Sequence, residues 1–182
     1  MSSLLNTSEP SVLLGLGSNI DREDNIGLGL SLLDQEFRLI GSSSAYESAA
    51  LGFDGPPFIN LAVEVDVAMS VGELARFIRQ MEYRMGRPRD ATRFSSRTLD
   101  IDILDYKGVC GSLDGITLPR GEILDNAYVL APLAELAPER LHPAARESYA
   151  TLWEQHRERM QPVQRITFPA AAWSLPLCRV TR

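Results

Sequence analysis

Apolar residues recur along this chain with two different periods, and the order in which the periods appear predicts the architecture. Residues 11–17 form a short apolar run ending in glycine, which reads as a buried strand. Asp21 then reads as a helix N-cap with more acid in the first turn. Ile26, Leu30, Leu33 and Phe37 follow at spacings of four, three and four, one apolar face of that helix. Residues 39–46 read as a second strand, and residues 51–57, with two glycines and two prolines, as a loop. Leu61, Val63, Val65 and Val67 alternate with Ala62, Glu64 and Asp66, the period of a half-exposed strand. Val71, Leu74, Ala75, Ile78, Met81 and Met85 return to helical spacing, ended near Gly86 and Pro88. After a basic loop at 86–96, Leu99, Ile101 and Ile103 alternate with Asp100 and Asp102.

The order is therefore β-α-β-β-α-β, which predicts a ferredoxin-like α/β (α+β) core with a mostly antiparallel sheet. Beyond it, residues 109–118 predict a short hairpin and 128–136 a short helix. Residues 144–160 predict a charged, exposed helix, and 164–168 a strand. The expected organisation is a main domain over 11–138. An extension over 139–182 packs on that domain or on a second subunit, so the protein is a monomer or a homodimer.

Composition narrows the class. A length of 182 residues and an apolar share of 45% suit one globular unit. The start of the chain lacks the basic and apolar pattern of a signal peptide, and no apolar run approaches a membrane span. Cys110 and Cys178 have no metal-ligand spacing and read as buried free thiols. A cytoplasmic protein with no membrane partner follows. The net charge of −6 argues against nucleic acid as a partner. The charge is uneven, however. Arg84, Arg87, Arg89, Arg93 and Arg97 fall within fourteen residues, and the chain's one lysine is Lys107. A basic island in an acidic protein suits a small anion, and phosphate chemistry here must rely on arginine.

Asp100 and Asp102 are the sharpest chemical signal. Two residues apart on a strand, they project from one face while Leu99, Ile101 and Ile103 face the core. Side-by-side carboxylates either sit on a solvated strand face or are neutralised by a cation. Magnesium held by one or two carboxylates plus substrate phosphates fits the second reading. The neighbouring arginines favour it, because guanidinium groups grip phosphate oxygens bidentately. Glu82 lies at the edge of the second helix's apolar stripe and reads as solvated. Residues 15–20, Gly-Leu-Gly-Ser-Asn-Ile, lack both the dinucleotide fingerprint and the P-loop lysine, and read as a tight strand-to-helix turn. His142 and His156 have no partner spacing and read as surface residues.

Several spaced blocks together resemble the hydroxymethyl-dihydropterin pyrophosphokinases. They are Gly15-Leu16-Gly17-Ser18-Asn19, Pro57-Phe58-Ile59-Asn60, Glu82-Tyr83-Arg84-Met85-Gly86-Arg87, Arg97-Thr98-Leu99-Asp100-Ile101-Asp102 and Val129-Leu130-Ala131-Pro132-Leu133. The resemblance implies transfer of diphosphate from ATP to the hydroxymethyl group of a reduced pterin, with two magnesium ions held by Asp100 and Asp102. It implies phosphate contacts from Arg87, Arg89 and Arg97, and nucleotide contacts from Glu82 and Phe94. For the pterin it implies hydrogen bonds from Asn60, ring stacking from Phe58 and Tyr128, and main-chain contacts over residues 48–51, Ser48 and Leu51 among them. The chain departs from the family pattern at Arg120, where a histidine is usual, and at Asn126, where an arginine is usual. Arg120 is expected to restore lost positive charge towards ATP. A diverged paralogue acting on another pterin alcohol and a non-catalytic pterin- or nucleotide-binding module are the alternatives.

Overall fold

The computed structural model describes residues 11–88 and 95–167. Its elements run β1 (Val12–Ser18), α1 (Arg22–Glu36), β2 (Arg38–Ser42), β3 (Ala45–Ser48), β4 (Phe58–Asp66), α2 (Val71–Arg84) and β5 (Asp100–Tyr106). A hairpin of β6 (Gly111–Leu113) and β7 (Ile116–Leu118) follows, then α3 (Glu122–Asp125), α4 (Ala127–Leu136), α5 (Tyr149–His156) and β8 (Gln164–Ile166). The main sheet has the order β5-β1-β4-β3-β8, with β2 also on β4, and every pairing is antiparallel. This is the ferredoxin-like arrangement that the periodicities predict.

The second predicted strand is two strands. Ser43 interrupts it, because its hydroxyl accepts the Ala62 N–H at 3.0 Å while its own N–H bonds the Ala62 carbonyl at 2.9 Å. A side-chain acceptor has replaced a ladder bond, which is how serine competes with regular structure. Three other expectations also change. Asp21 sits at the N-cap position but in a left-handed conformation with no side-chain cap, and Asn25 Nδ2 bonds the Ile20 carbonyl at 2.6 Å instead. The predicted helix over 144–160 forms only from Tyr149, where Ser148 accepts the Thr151 N–H. Cys110 is an exposed free thiol rather than a buried one; Cys178 lies outside the described residues.

The strands' alternation builds two cores. Leu14, Leu16, Leu61, Val63, Ile101 and Ile103 face α1 and α2, meeting Ile26, Leu30, Leu33, Leu74 and Ile78. The opposite face carries Leu13, Ala62 and Leu104 under α4 and α5, with Leu130, Leu133, Tyr149 and Leu152. Alternation puts Leu104 there, and a bulge puts Asp105 beside it: the β1–β5 register shifts between Leu13 and Leu14, so Leu13 pairs with Asp105 and Leu14 with Ile103. Residues 139–167 therefore supply part of the second core, and β8 adds a strand beside β3.

This second face divides into three zones along the strands. One end is polar and tied, with Arg140 bonded to Asp105, Glu64 and Ser11. The middle is the apolar layer under α4. The other end, where β1 offers Gly15 and Gly17, β4 offers Asn60 and β5 offers Asp100 and Asp102, opens into a cleft.

Candidate active site

The cleft has a volume of about 800 Å³, within the ~300–1,000 Å³ usual for small-molecule sites. Asp100 and Asp102 both face into it, separated by buried Ile101, as the alternation predicts. Their carboxylates are half-exposed, 38% and 37%. Burial of its surroundings and then the Asp100 charge push the Asp102 carboxyl up to about 7, against the pull of Arg120. Loss of solvation and a like charge beside it both disfavour the ionised form.

Glu82 is the clearest correction. It is 5% exposed rather than solvated. Its Oε1 accepts the Ile101 N–H at 2.9 Å and its Oε2 accepts Arg87 Nη1 at 2.6 Å. Burial pushes this carboxyl up, and the Ile101 N–H and Arg87 oppose that. Glu82 thus pins the strand of the acid pair to α2 and aims Arg87, whose Nη1 also reaches Asp100 at 2.9 Å. Arg97 is buried, with its Nε 3.9 Å from Asp100. Arg120 lies on the other side, Nη2 2.8 Å from Asp102 and Nε 3.0 Å from Glu122. Arg89 and Phe94, which the resemblance places at the nucleotide, lie outside the described residues.

Across the cleft, Asn60 is buried and donates to Ser48 Oγ at 2.9 Å. Phe58 and Tyr128 line the same space, as do Ser48 and Leu51. Burial, reinforced by the negative charge of Glu122, Asp102 and Asp100, raises the Tyr128 hydroxyl to about 12, so it stays protonated. Four features were not legible as site residues. Phe53 stands edge-on to Phe58, with ring centres 6.3 Å apart and planes at 88°. The 15–20 segment is not a turn throughout, since β1 runs to Ser18 and carries Gly15 and Gly17 across the cleft floor. A Cβ on Gly17 would stand 3.0 Å from Asn60 Oδ1, so glycine here keeps room for that amide. Asn19 then ties two loops together, donating to the Pro56 carbonyl and Ser96 Oγ at 3.1 Å and accepting the Arg97 N–H at 2.7 Å. Polar residues after a Gly-rich strand end were the only trace of that role in the sequence.

His142, read as a surface residue, is 3% exposed and stands edge-on to Tyr149 behind α4. It takes no part in the cleft.

The acid pair fits a magnesium-type ion. Among the described residues no group of three or more His, Cys, Asp or Glu side chains could hold a metal by itself. Two carboxylate-bearing positions on one strand leave most of the coordination sphere to water and phosphate, which is how magnesium is usually bound.

Acid pairs flanked by arginines are the electrostatic means of phosphoryl transfer, and on this ferredoxin-like sheet they define an α/β protein of that class. More narrowly, the chain belongs to the 7,8-dihydro-6-hydroxymethylpterin-pyrophosphokinase family, which residues 13–138 match. It is 34% identical over 130 residues to the 2-amino-4-hydroxy-6-hydroxymethyldihydropteridine pyrophosphokinase of Bacillus subtilis, covering 69% of this chain and 77% of that one. The protein of the same name from Pseudomonas aeruginosa is 34% identical over 139 residues, 74% of this chain and 85% of that one. The folic acid synthesis protein FOL1 of Dictyostelium discoideum is 31% identical over 140 residues, 76% of this chain but 21% of its own length. The chain thus spans about a fifth of that longer relative. Among solved structures, Plasmodium falciparum HPPK-DHPS with pteroate superposes with a TM-score of 0.64 at 13% identity, over 82% of this chain and 44% of that one. At that identity it shows the fold alone. No helix among the described residues is long and apolar enough to cross a membrane.

Proposed function

We propose that the protein transfers diphosphate from ATP to the hydroxymethyl group of 6-hydroxymethyl-7,8-dihydropterin, giving AMP and the pterin diphosphate in folate biosynthesis. The observation that carries this reading is the pairing, across one cleft, of the Asp100–Asp102 acid pair with a buried amide among aromatic rings. A phosphate-transfer half and a flat-heterocycle half face each other. The names of the relatives, pyrophosphokinases of a hydroxymethyldihydropteridine, support the substrate pair.

Asn60 supplies both a donor and an acceptor, which suits the polar edge of a pterin, and Ser48 fixes the amide's orientation. Phe58 and Tyr128 supply faces for the ring to stack on, with Phe53 backing Phe58. The hydroxyl oxygen then forms a bond to the β-phosphorus while the bond from that phosphorus to the α–β bridging oxygen breaks. AMP leaves with the bridging oxygen, and the hydroxyl's proton passes to water. Two magnesium ions, held by Asp100 and Asp102, would supply neutralisation of the phosphate oxygens. Arg87, Arg97 and Arg120 have the reach to hold phosphates around them, Arg87 being aimed by Glu82. Most of the rate enhancement then comes from position and charge rather than from a protein nucleophile. A cytoplasmic location belongs to the same proposal.

The test is AMP release from ATP and magnesium, with and without the pterin, with Asp100→Ala as control. Pterin-dependent AMP that vanishes in the variant supports the reading. Tight pterin binding with no AMP formed overturns it.

A further inference from the structure

Arg120 replaces the family's usual histidine, and its surroundings give it a second task. Its backbone N–H donates to the Leu104 carbonyl at 2.8 Å, which fastens it to β5 two residues from Asp102. From that anchor Nη2 reaches Asp102 Oδ1 at 2.8 Å, and Nε donates to Glu122 Oε2 at 3.0 Å. The two carboxylates hold the guanidinium by its Nη2 and Nε. Arg87 stands against Asp100 in the same way, so each acid of the pair has an arginine as its internal counter-ion.

The two arginines are held differently. Arg87 is bonded to Glu82, whose side chain is 6% exposed. Arg120 is 43% exposed, and its partners Asp102 and Glu122 are 37% and 36% exposed. Ion pairs this open to water are weak and exchange readily. A divalent cation and a guanidinium cannot both sit against Asp102 Oδ1 without strong repulsion. A polyphosphate changes that balance, because its oxygens offer the displaced guanidinium a bidentate partner close by.

We propose that Arg120 is a resident counter-cation of Asp102, which withholds the acid pair from a bare divalent cation and turns to phosphate when metal and nucleotide arrive together. The exchange makes and breaks ion pairs only. It rests on the pyrophosphokinase reading and makes Arg120 a positioning residue that couples metal binding to nucleotide binding.

The experiment measures Mn²⁺ binding by electron paramagnetic resonance, with and without a non-hydrolysable ATP analogue. It compares the unaltered protein with Arg120→Ala and Arg120→Lys. Without nucleotide, Arg120→Ala should bind Mn²⁺ about tenfold more tightly, the effect of withdrawing one like charge and one weak ion pair. Arg120→Lys, which keeps the charge, should stay near the unaltered protein. With Mn²⁺ present, Arg120→Ala should bind the analogue several-fold more weakly, opposite in sign to the metal effect. A general loosening of the site would weaken both. Mn²⁺ affinity in Arg120→Ala equal to or below the unaltered protein's, with nucleotide-dependent metal binding intact, overturns this proposal alone. Failure of every protein to bind Mn²⁺ even with the analogue removes the pyrophosphokinase reading and this proposal with it.

Discussion

Arg140→Ala should cost this protein a large part of its stability while leaving the chemistry of the folded molecules untouched. Arg140 follows the catalytic core, yet its Nη2 lies 3.1 Å from Asp105 Oδ2 and 2.8 Å from the Ser11 carbonyl. Its Nη1 lies 2.8 Å from Ser11 Oγ and 3.4 Å from Glu64 Oε1. Asp105 is fully buried, and its other partners are the Gly108 N–H at 2.8 Å and the Tyr149 hydroxyl at a long 3.5 Å. Removing one partner of a buried ion pair costs about 3–5 kcal/mol because the other charge is stranded. Arg140 is 21% exposed, so water can partly replace it, and the low end applies. About 3 kcal/mol corresponds to a fall in Tm of about 6–12 °C for a chain this long. Calorimetry on Arg140→Ala, Asp105→Asn and the double variant gives the measurement. Because Asp105→Asn removes the stranded charge, the double variant should be clearly more stable than the sum of the two losses. The kcat at low temperature should not move, since Asp105 sits about 10 Å along the strand from Asp102. A Tm within about 2 °C of the unaltered protein, or strictly additive losses, would refute the argument.

Three further substitutions test other parts of the structure. Gly17→Ala places a methyl 3.0 Å from Asn60 Oδ1 and should raise the KM for pterin about tenfold, the worth of one hydrogen bond, with the KM for ATP unchanged. An equal rise in both constants would show that Gly17 does not act through the amide. Glu82→Ala strands the Ile101 N–H and should cost about 1–3 kcal/mol in urea unfolding, while Glu82→Gln keeps an acceptor there and should cost less. Equal losses in the two variants count against a bond to that N–H. Burial holds the His142 imidazole below its ordinary 6.5, against a weaker upward pull from Asp105. Its Nδ1 accepts the Ala145 N–H at 3.0 Å and its buried Nε2 has no partner among the described residues. The unfolded chain therefore takes up this proton first. Stability should be full above pH 6.5 and fall as the pH drops below it, and His142→Asn should flatten that slope. Denaturant titrations from pH 5 to 8 decide it, and an unchanged slope in the variant would count against the assignment.

What the sequence revealed followed from local spacing. The Asp100–Ile101–Asp102 alternation needs only the strand period to put both acids on one face. The faces of α1 and α2 and the hairpin at Gly111–Leu113 and Ile116–Leu118 were readable for the same reason. What stayed hidden depends on partners distant along the chain. Glu82 looks like a solvated helix edge until the backbone of β5 arrives 19 residues later to bond it. Leu13, Ala62 and Leu104 gave no sign of a second core, because α4 and α5, which cover them, come later in the chain. Arg140 and His142 sit in a segment rich in charge and proline, where nothing local marks a buried tie. Ser43 breaks a strand through its own hydroxyl, a choice that pattern alone cannot separate from continued pairing.

The three zones on the sheet's second face explain why a segment outside the cleft bears on the strand that carries the acid pair. β5 is an edge strand with a single ladder partner, β1. One ladder leaves such a strand able to twist or slip, yet a metal site of the kind proposed for the acid pair needs its ligands held to within about 0.5 Å. Attachments besides that ladder also hold β5, three of them at its core-facing and backbone groups. Glu82 bonds it at Ile101, the Arg120 N–H bonds it at Leu104, and Arg140 bonds it at Asp105. They act at successive points along the strand, and the last comes from residues beyond the segment matched to the family. Arg140 therefore secures the fold of β5 at the end away from the acid pair, while Glu82 and the Arg120 N–H hold the strand nearer that pair. Ending the chain after Pro138 should leave Asp105 buried without its cation and α4 without Leu152, so the core domain should unfold rather than persist as a weaker enzyme.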